Sequence, residues 1–140
     1  MINFQSESKR SGDEFESKVL IDLSRFGCTG ITKNVIIAET GCEVDFANSY
    51  RGTQVYVEAK GGLQGEKKRP GAKRTDNVKK AIANAALIKS LNPETQYIVY
   101  FSDLPKYGSS SHKMLNTAIR AGFIDSVRYL IDFVPKLKTV

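Results

Sequence analysis

The chain is poor in the residues that build disulfide or metal-held frameworks. It has two cysteines, one histidine and no tryptophan among 140 residues. Cys28 and Cys42 form no CxxC pair, and a structural zinc site needs four Cys or His ligands, so the sequence argues against both kinds of framework. The two thiols are better interpreted as small, reduced residues of the core.

Long apolar runs are also missing. No run approaches the roughly 20 apolar residues that a membrane-spanning helix needs. The first ten residues lack the apolar core of a signal peptide. We therefore expect an intracellular, cytoplasmic protein with no membrane partner.

Positive charge is what the composition has in excess. The formal net charge is +6 and the isoelectric point is near 9.3, whereas the hydrophobic share of 41% is ordinary. A length of 140 residues predicts one domain, residues 1–140. The charge favours a polyanionic partner, nucleic acid first and an anionic membrane surface second, although an inert basic surface would have the same composition.

Apolar periodicity predicts helices and strands along the whole chain. Residues 1–10 are expected to be loose, and a helix is expected from Ser11 or Gly12 to Phe26. Three strands then form an antiparallel meander, and the strand after the second helix is a candidate parallel neighbour of the third strand. The expected bounds are Ile31–Ala38, Glu43–Asn48 and Gln54–Lys60 for the meander, a helix ending near Ser90, a strand Tyr97–Phe101, a helix Lys113–Ala121 with a serine N-cap, and a strand Ser126–Phe133.

The stretch Thr53–Lys60 carries charges within an apolar strand. Alternation places Glu58 and Lys60 on one side, opposite the side that holds the valines. Asp45 lies in the preceding strand, and a turn at Asn48–Gly52 would bring Asp45 beside Glu58. Two carboxylates and a lysine suit a cation that prefers oxygen ligands, such as Mg²⁺.

A basic segment follows directly and supplies most of the net charge. Residues 61–80 contain Lys67, Lys68, Arg69, Lys73, Arg74, Lys79 and Lys80, against Glu66 and Asp76. Such a glycine-rich segment, with a basic loop at 61–76, can neutralise several phosphates without sequence preference. The alternative is a solvated flexible loop, but the position of the segment directly after Lys60 favours the phosphate-binding interpretation. His112, the lone histidine, lies where a helix begins and is a candidate DNA contact or general base.

The first helix offers two candidate acids. Glu16 is the acid nearest its apolar stripe, whereas Glu14 points further toward solvent. Glu16 either belongs to the site or complements the dipole of the helix. The pattern alone favours neither interpretation.

Asp45, then Glu58-Ala59-Lys60 after a hairpin, then glycine, resembles the PD-(D/E)XK nuclease superfamily. The helix beginning Gly12-Asp-Glu-Phe-Glu16 is similar to the first helix of that superfamily. The resemblance covers about residues 10–102. It implies an α/β (α+β) fold with an αβββαβ restriction-endonuclease-like core, a mixed sheet flanked by helices, and here an extra C-terminal helix and strand. Val44 stands where many members have proline.

The resemblance also implies Mg²⁺-dependent cleavage of DNA, with Mn²⁺ as a substitute. Asp45, Glu58 and the Ala59 carbonyl would be metal ligands, Glu16 would complete the site with Glu14 in reserve, and Lys60 would lie at the attacking water. We expect site-specific cleavage of duplex DNA, of the restriction type or the phage and homing type, by a homodimer or a higher homo-oligomer. A Holliday-junction resolvase or another structure-selective nuclease is the alternative within the superfamily. A non-catalytic DNA-binding module with the same fold is the alternative outside catalysis.

Overall fold

The computed structural model describes residues 4–61 and 75–131, with side chains from residue 12 onward. Three helices and five strands are found in these ranges. They are α1 Phe4–Arg25, β1 Thr29–Ile37, β2 Cys42–Tyr50, β3 Thr53–Lys60, α2 Thr75–Leu91, β4 Gln96–Phe101, α3 Ser110–Arg120 and β5 Ser126–Tyr129. None of the helices within these ranges is long and apolar enough to cross a membrane.

The strands form one mixed sheet in the order β1-β2-β3-β4-β5. β1, β2 and β3 are antiparallel neighbours, whereas β4 is parallel to β3 and β5 is parallel to β4. The predicted meander and the predicted parallel neighbour of the third strand are therefore confirmed. The mixed α/β class, with helices against the sheet and a helix and strand added at the C-terminal end, is confirmed as well.

Each face of the sheet is covered by helices. The α1 face is the side packed against α1, and its buried side chains are Phe15, Val19, Leu23, Phe46, Val55, Val57 and Tyr100. The α2 face is the side packed against α2 and α3, where Val78, Ala81, Ala85 and Ile88 of α2 meet Tyr97, Val99 and Phe101 of β4. Helical spacing of apolar residues in α1 and α2 produces both contacts.

The turn between β2 and β3 is tighter than the sequence indicated. β2 continues to Tyr50, which pairs with Thr53, so only Arg51 and Gly52 remain as the loop. Both have positive φ, 50° and 81°, which matches a two-residue hairpin turn whose twist suits the flanking strands. A short turn of this kind fixes the register of β3 against β2.

The prediction of a loose N-terminus over residues 1–10 is wrong for residues 4–10, because α1 begins at Phe4. This stretch has no proline, its Gln, Glu, Lys and Arg are good helix formers, and a single Gly12 costs only about 1 kcal/mol within a helix. α3 begins at Ser110 with Ser109 as N-cap, so the serine cap is confirmed and the helix starts three residues earlier than expected. Most of the basic loop, including residues 62–74, and residues 132–140 lie outside the described residues.

Candidate active site

The second half of β3 carries two of the predicted site residues. Val55 and Val57 point to the α1 face, as alternation requires, and Glu58 points the other way. Glu58 is 1% exposed. Lys60 Nζ lies 3.2 Å from Glu58 Oε2. A buried carboxylate needs a partner of opposite charge, and the residue two positions along the same strand supplies it.

Two residues that the sequence interpretation missed hold the other oxygen of Glu58. The Tyr97 hydroxyl and the Asn84 side-chain amide both donate hydrogen bonds to Glu58 Oε1. Tyr97 belongs to β4, beside β3, and Asn84 lies on α2. A usable signal was present in the sequence, because each is a polar group within an apolar run and such a group needs a partner when buried.

Asp45 of β2 contacts β3 at the point where the two strands stop pairing. The last paired residues of the two strands are Phe46 and Val57. Beyond them the Ala59 N–H donates to Asp45 Oδ2 at 2.7 Å. Burial raises the pKa of Asp45, and the negative charge of Glu58 raises it further, while the Ala59 hydrogen bond opposes the shift. The structure therefore brings Asp45, Glu58 and Lys60 together.

Glu16 of α1 is coupled electrostatically to one member of this group, Asp45. Burial raises the pKa of Glu16 and the charge of Asp45 adds to the shift, while Lys33 of β1 opposes it. Glu14 is exposed and points away from the core. Of the two acids of the first helix, Glu16 is thus the one within electrostatic reach of Asp45.

Gly61 allows α1 to approach the end of β3. A Cβ added at Gly61 would lie 2.3 Å from the ring of Phe15, far inside van der Waals contact. Phe15 precedes Glu16 on α1, so this close contact sets the distance between the helix and the site strand. The glycine that follows Lys60 is therefore required by packing.

The donor chemistry of the site fits a hard divalent cation. Asp45, Glu58 and Glu16 are carboxylates, and the Ala59 carbonyl is a further oxygen. Burial is the main cause of the raised pKa of Asp45 and of Glu16, and a neighbouring carboxylate adds to each shift: Glu58 for Asp45, and Asp45 for Glu16. Among the side chains that the structure describes, no group of three or more His, Cys, Asp or Glu is already close enough to hold a metal ion.

Only two of the predicted DNA contacts lie within the described residues. Lys79 is exposed on α2. His112 lies in the first turn of α3, where its Nδ1 accepts a hydrogen bond from Gly108 N–H at 3.1 Å and its ring packs against Tyr107. No hydrogen bond in the described residues joins His112 to the acids of the site. The other predicted contacts lie outside these residues: Lys67, Lys68, Arg69, Lys73 and Arg74.

No family model matches the chain, and no curated protein matches its sequence. Among solved structures, the chain is similar to the crystal structure of an XisH family protein from Nostoc punctiforme. The identity is 19%, the alignment covers 84% of this chain and 88% of the other, and the TM-score is 0.51. A likeness at this identity shows a shared fold and assigns no activity.

Proposed function

We propose that this chain is a Mg²⁺-dependent endodeoxyribonuclease with a restriction-endonuclease-like core. The observation that supports it most is the meeting of Asp45, Glu58 and Lys60 at the point where β2 leaves β3. The order of elements, α1-β1-β2-β3-α2-β4, is the order that the resemblance to the superfamily implies. Charged residues are rare in the interior of a sheet, so two acids and a lysine on adjacent strands favour a functional role.

Phosphodiester hydrolysis requires that negative charge on the phosphate be stabilised and that a water be oriented for attack. Asp45, Glu58, Glu16 and the Ala59 carbonyl would hold Mg²⁺, which when bound neutralises charge and lowers the pKa of a bound water. Lys60, on the rigid strand, places an ammonium where it orients that water or stabilises the developing charge. The N–H of Ala59 holds Asp45 in position.

The substrate that we propose is duplex DNA cut at preferred sites by a homodimer, because two copies related by a two-fold axis reach both strands most simply. The basic segment, residues 61–80, would contact phosphates in a sequence-independent way. Replacing Lys67, Lys68 and Arg69 by alanine then weakens binding to every DNA sequence equally and flattens its salt dependence. Unchanged affinity would remove this segment from the interface.

The deciding experiment is incubation with Mg²⁺ and three substrates: supercoiled plasmid, linear duplex and a four-way junction. Discrete fragments from the duplex support the proposal. Symmetric nicks confined to the junction assign a Holliday-junction resolvase instead. The Lys60→Ala variant serves as the control for contaminating nucleases.

A non-catalytic DNA-binding module is the second candidate, and one observation favours it. Both oxygens of Glu58 already have partners within the chain, namely Lys60, Tyr97 and Asn84. In that case the acids only stabilise the fold. DNA binding without cleavage in Mg²⁺ or Mn²⁺ would assign this function.

A further inference from the structure

The two hydrogen-bond donors that meet at Glu58 are placed to decide which of its oxygens faces the rest of the site. Tyr97 and Asn84 donate to the same atom, Oε1, and Lys60 lies at the other, Oε2. A carboxylate held by two donors at one oxygen cannot rotate without breaking both bonds. Oε2 is therefore kept toward Lys60.

The position of Tyr97 is itself fixed by two backbone hydrogen bonds to Asp125, and Asp125 is held in turn by Lys89. Its N–H donates to Asp125 Oδ2 at 2.7 Å, and its carbonyl accepts from Asp125 N–H at 2.9 Å. Lys89 Nζ lies 2.6 Å from the same carboxylate oxygen of Asp125. Both backbone groups of Tyr97, at the start of β4, are thus hydrogen-bonded to Asp125.

Helix α2 contributes to both ends of this arrangement. It supplies Asn84 to Glu58 and Lys89 to Asp125. Residues from α2, β4 and the segment before β5 therefore form one connected frame around a single carboxylate. Because both donors to the buried Glu58 Oε1 belong to this frame, the network favours one orientation of the carboxylate.

We propose that Tyr97 and Asn84 are positioning residues that present Glu58 Oε2, and not Oε1, to the bound cation and to Lys60. This inference rests on the proposed function of the same site. It extends that function, because neither residue belongs to the set of acids and lysine that the sequence resemblance implies. Removing a residue that hydrogen-bonds a metal ligand typically lowers metal affinity or activity by about 10–100-fold.

The chain offers a matched control on the same strand. Tyr100, three residues after Tyr97, is also fully buried and donates its hydroxyl to a carboxylate, Asp22 Oδ2, at 2.6 Å on the α1 face. Tyr97→Phe and Tyr100→Phe each remove a buried hydroxyl that donates to a carboxylate. Only the first removal touches Glu58.

The first test is the crystal structure of each variant without metal. We expect the Glu58 carboxylate to turn away from Lys60 in Tyr97→Phe and to keep its orientation in Tyr100→Phe. A Glu58 that keeps its orientation in Tyr97→Phe overturns the proposal. So does a Glu58 that turns equally in both variants, because that result indicates general loosening of β4. The orientation of Glu58 can be read from these structures whether or not the chain cuts DNA.

The second test is Mn²⁺ binding in the absence of DNA, measured by electron paramagnetic resonance. We expect Tyr97→Phe to bind Mn²⁺ about 10–100-fold more weakly than wild type, with Asn84→Ala similar and Tyr100→Phe close to wild type. Because both donors act on one oxygen, the double variant should lose less than the two single losses combined. Wild-type affinity in both Tyr97→Phe and Asn84→Ala overturns the proposal. Failure of the wild type to bind Mn²⁺ would instead remove the proposed function and, with it, the role of Oε2 toward a cation.

Discussion

β4 carries two buried tyrosines, and each donates its hydroxyl to an acid on a different face of the sheet. Tyr100 meets Asp22 on the α1 face, and Tyr97 meets Glu58 on the α2 face. Asp22 is balanced by Arg128, whose Nη2 lies 3.3 Å from Oδ2, and its side chain keeps 25% of its surface exposed. The pair on the α1 face is therefore a self-contained link between α1, β4 and β5.

The pair on the α2 face also has a cation, Lys60, but the Glu58 side chain is only 2% exposed. A second acid, Asp45, lies close enough for the charge of Glu58 to raise its pKa, which burial already raises. Glu16 adds a third acid through its coupling to Asp45. The difference teaches that a buried acid with a hydrogen-bonded tyrosine is not itself a functional signal. What distinguishes the two pairs is the further acid, Asp45, that is coupled to Glu58.

Both tyrosines remain hydrogen-bond donors at neutral pH. Burial raises the pKa of Tyr97, and the charge of Glu58 raises it further. Burial also raises the pKa of Tyr100, with the hydrogen bond to Asp22 as the second cause. The two pairs therefore differ in charge and not in protonation of the donor.

The largest effect is expected from removing the cation of each pair in turn. Lys60→Ala should lower plasmid cleavage by about 10²–10⁴-fold, because it removes the group that we place at the water. Arg128→Ala breaks the corresponding pair on the α1 face and should leave cleavage per folded molecule unchanged. Initial rates in Mg²⁺, corrected for the folded fraction, measure both. Equal losses would erase the distinction between the two faces.

The next effect concerns the contact that joins the α1 face to the site strand. Gly61→Ala should lower the free energy of unfolding by about 1–3 kcal/mol, because the new methyl group overlaps the ring of Phe15. Gly12→Ala is the matched control, since a Cβ there meets nothing within 4 Å and alanine is the better helix former. It should stabilise by about 0.5–1 kcal/mol. Urea denaturation compares the two, and a neutral Gly61→Ala would show that α1 shifts freely.

The smallest effect is expected from neutralising one acid near each pair, Asp45 or Asp22, in metal-free buffer. Asp45 has a raised pKa, so the folded chain holds its proton to higher pH than the unfolded chain does, and stability falls as pH rises above the ordinary value near 3.8. Asp45→Asn removes the charge, keeps an oxygen for Ala59 N–H, and should raise the melting temperature at pH 7. The gain should disappear as pH falls toward the ordinary value.

Asp22→Asn should do the opposite at pH 7, because it removes the partner of Arg128. A loss of up to about 1 kcal/mol is expected for a partly exposed pair. Melting curves in EDTA across this pH range measure both variants. A destabilised Asp45→Asn would mean that the charge of Asp45 is already compensated in the folded chain.

The sequence predicted those parts of the site that depend on local geometry. Period-two alternation placed Glu58 and Lys60 on one face, because side chains two residues apart in a strand point to the same side. The hairpin brought Asp45 to the same place, since a short turn leaves little freedom in pairing. The pairing of β2 with β3 stops at Phe46, so Asp45, the residue before it, is free to accept from Ala59 N–H. No periodic pattern in the sequence predicts this end of the pairing.

Tyr97 and Asn84 escaped prediction for a different reason. They lie 39 and 26 residues from Glu58 in the chain, and they reach it only through a crossover helix and a parallel pairing. No spacing rule gives the rotation of α2 about its axis. The predicted phosphate contacts at Lys67, Lys68, Arg69, Lys73 and Arg74 stay predictions.

The separation of Glu58 from Tyr97 also has a consequence for synthesis on the ribosome. A nascent chain that has been made as far as Lys60 contains every acid of the candidate site and the lysine, but not the donors that orient Glu58. Those arrive only when α2 has emerged and β4 has docked beside β3. Under the proposed function and the proposed role of the two donors, an unfinished polypeptide is therefore expected to hold the cation more weakly than the finished chain does.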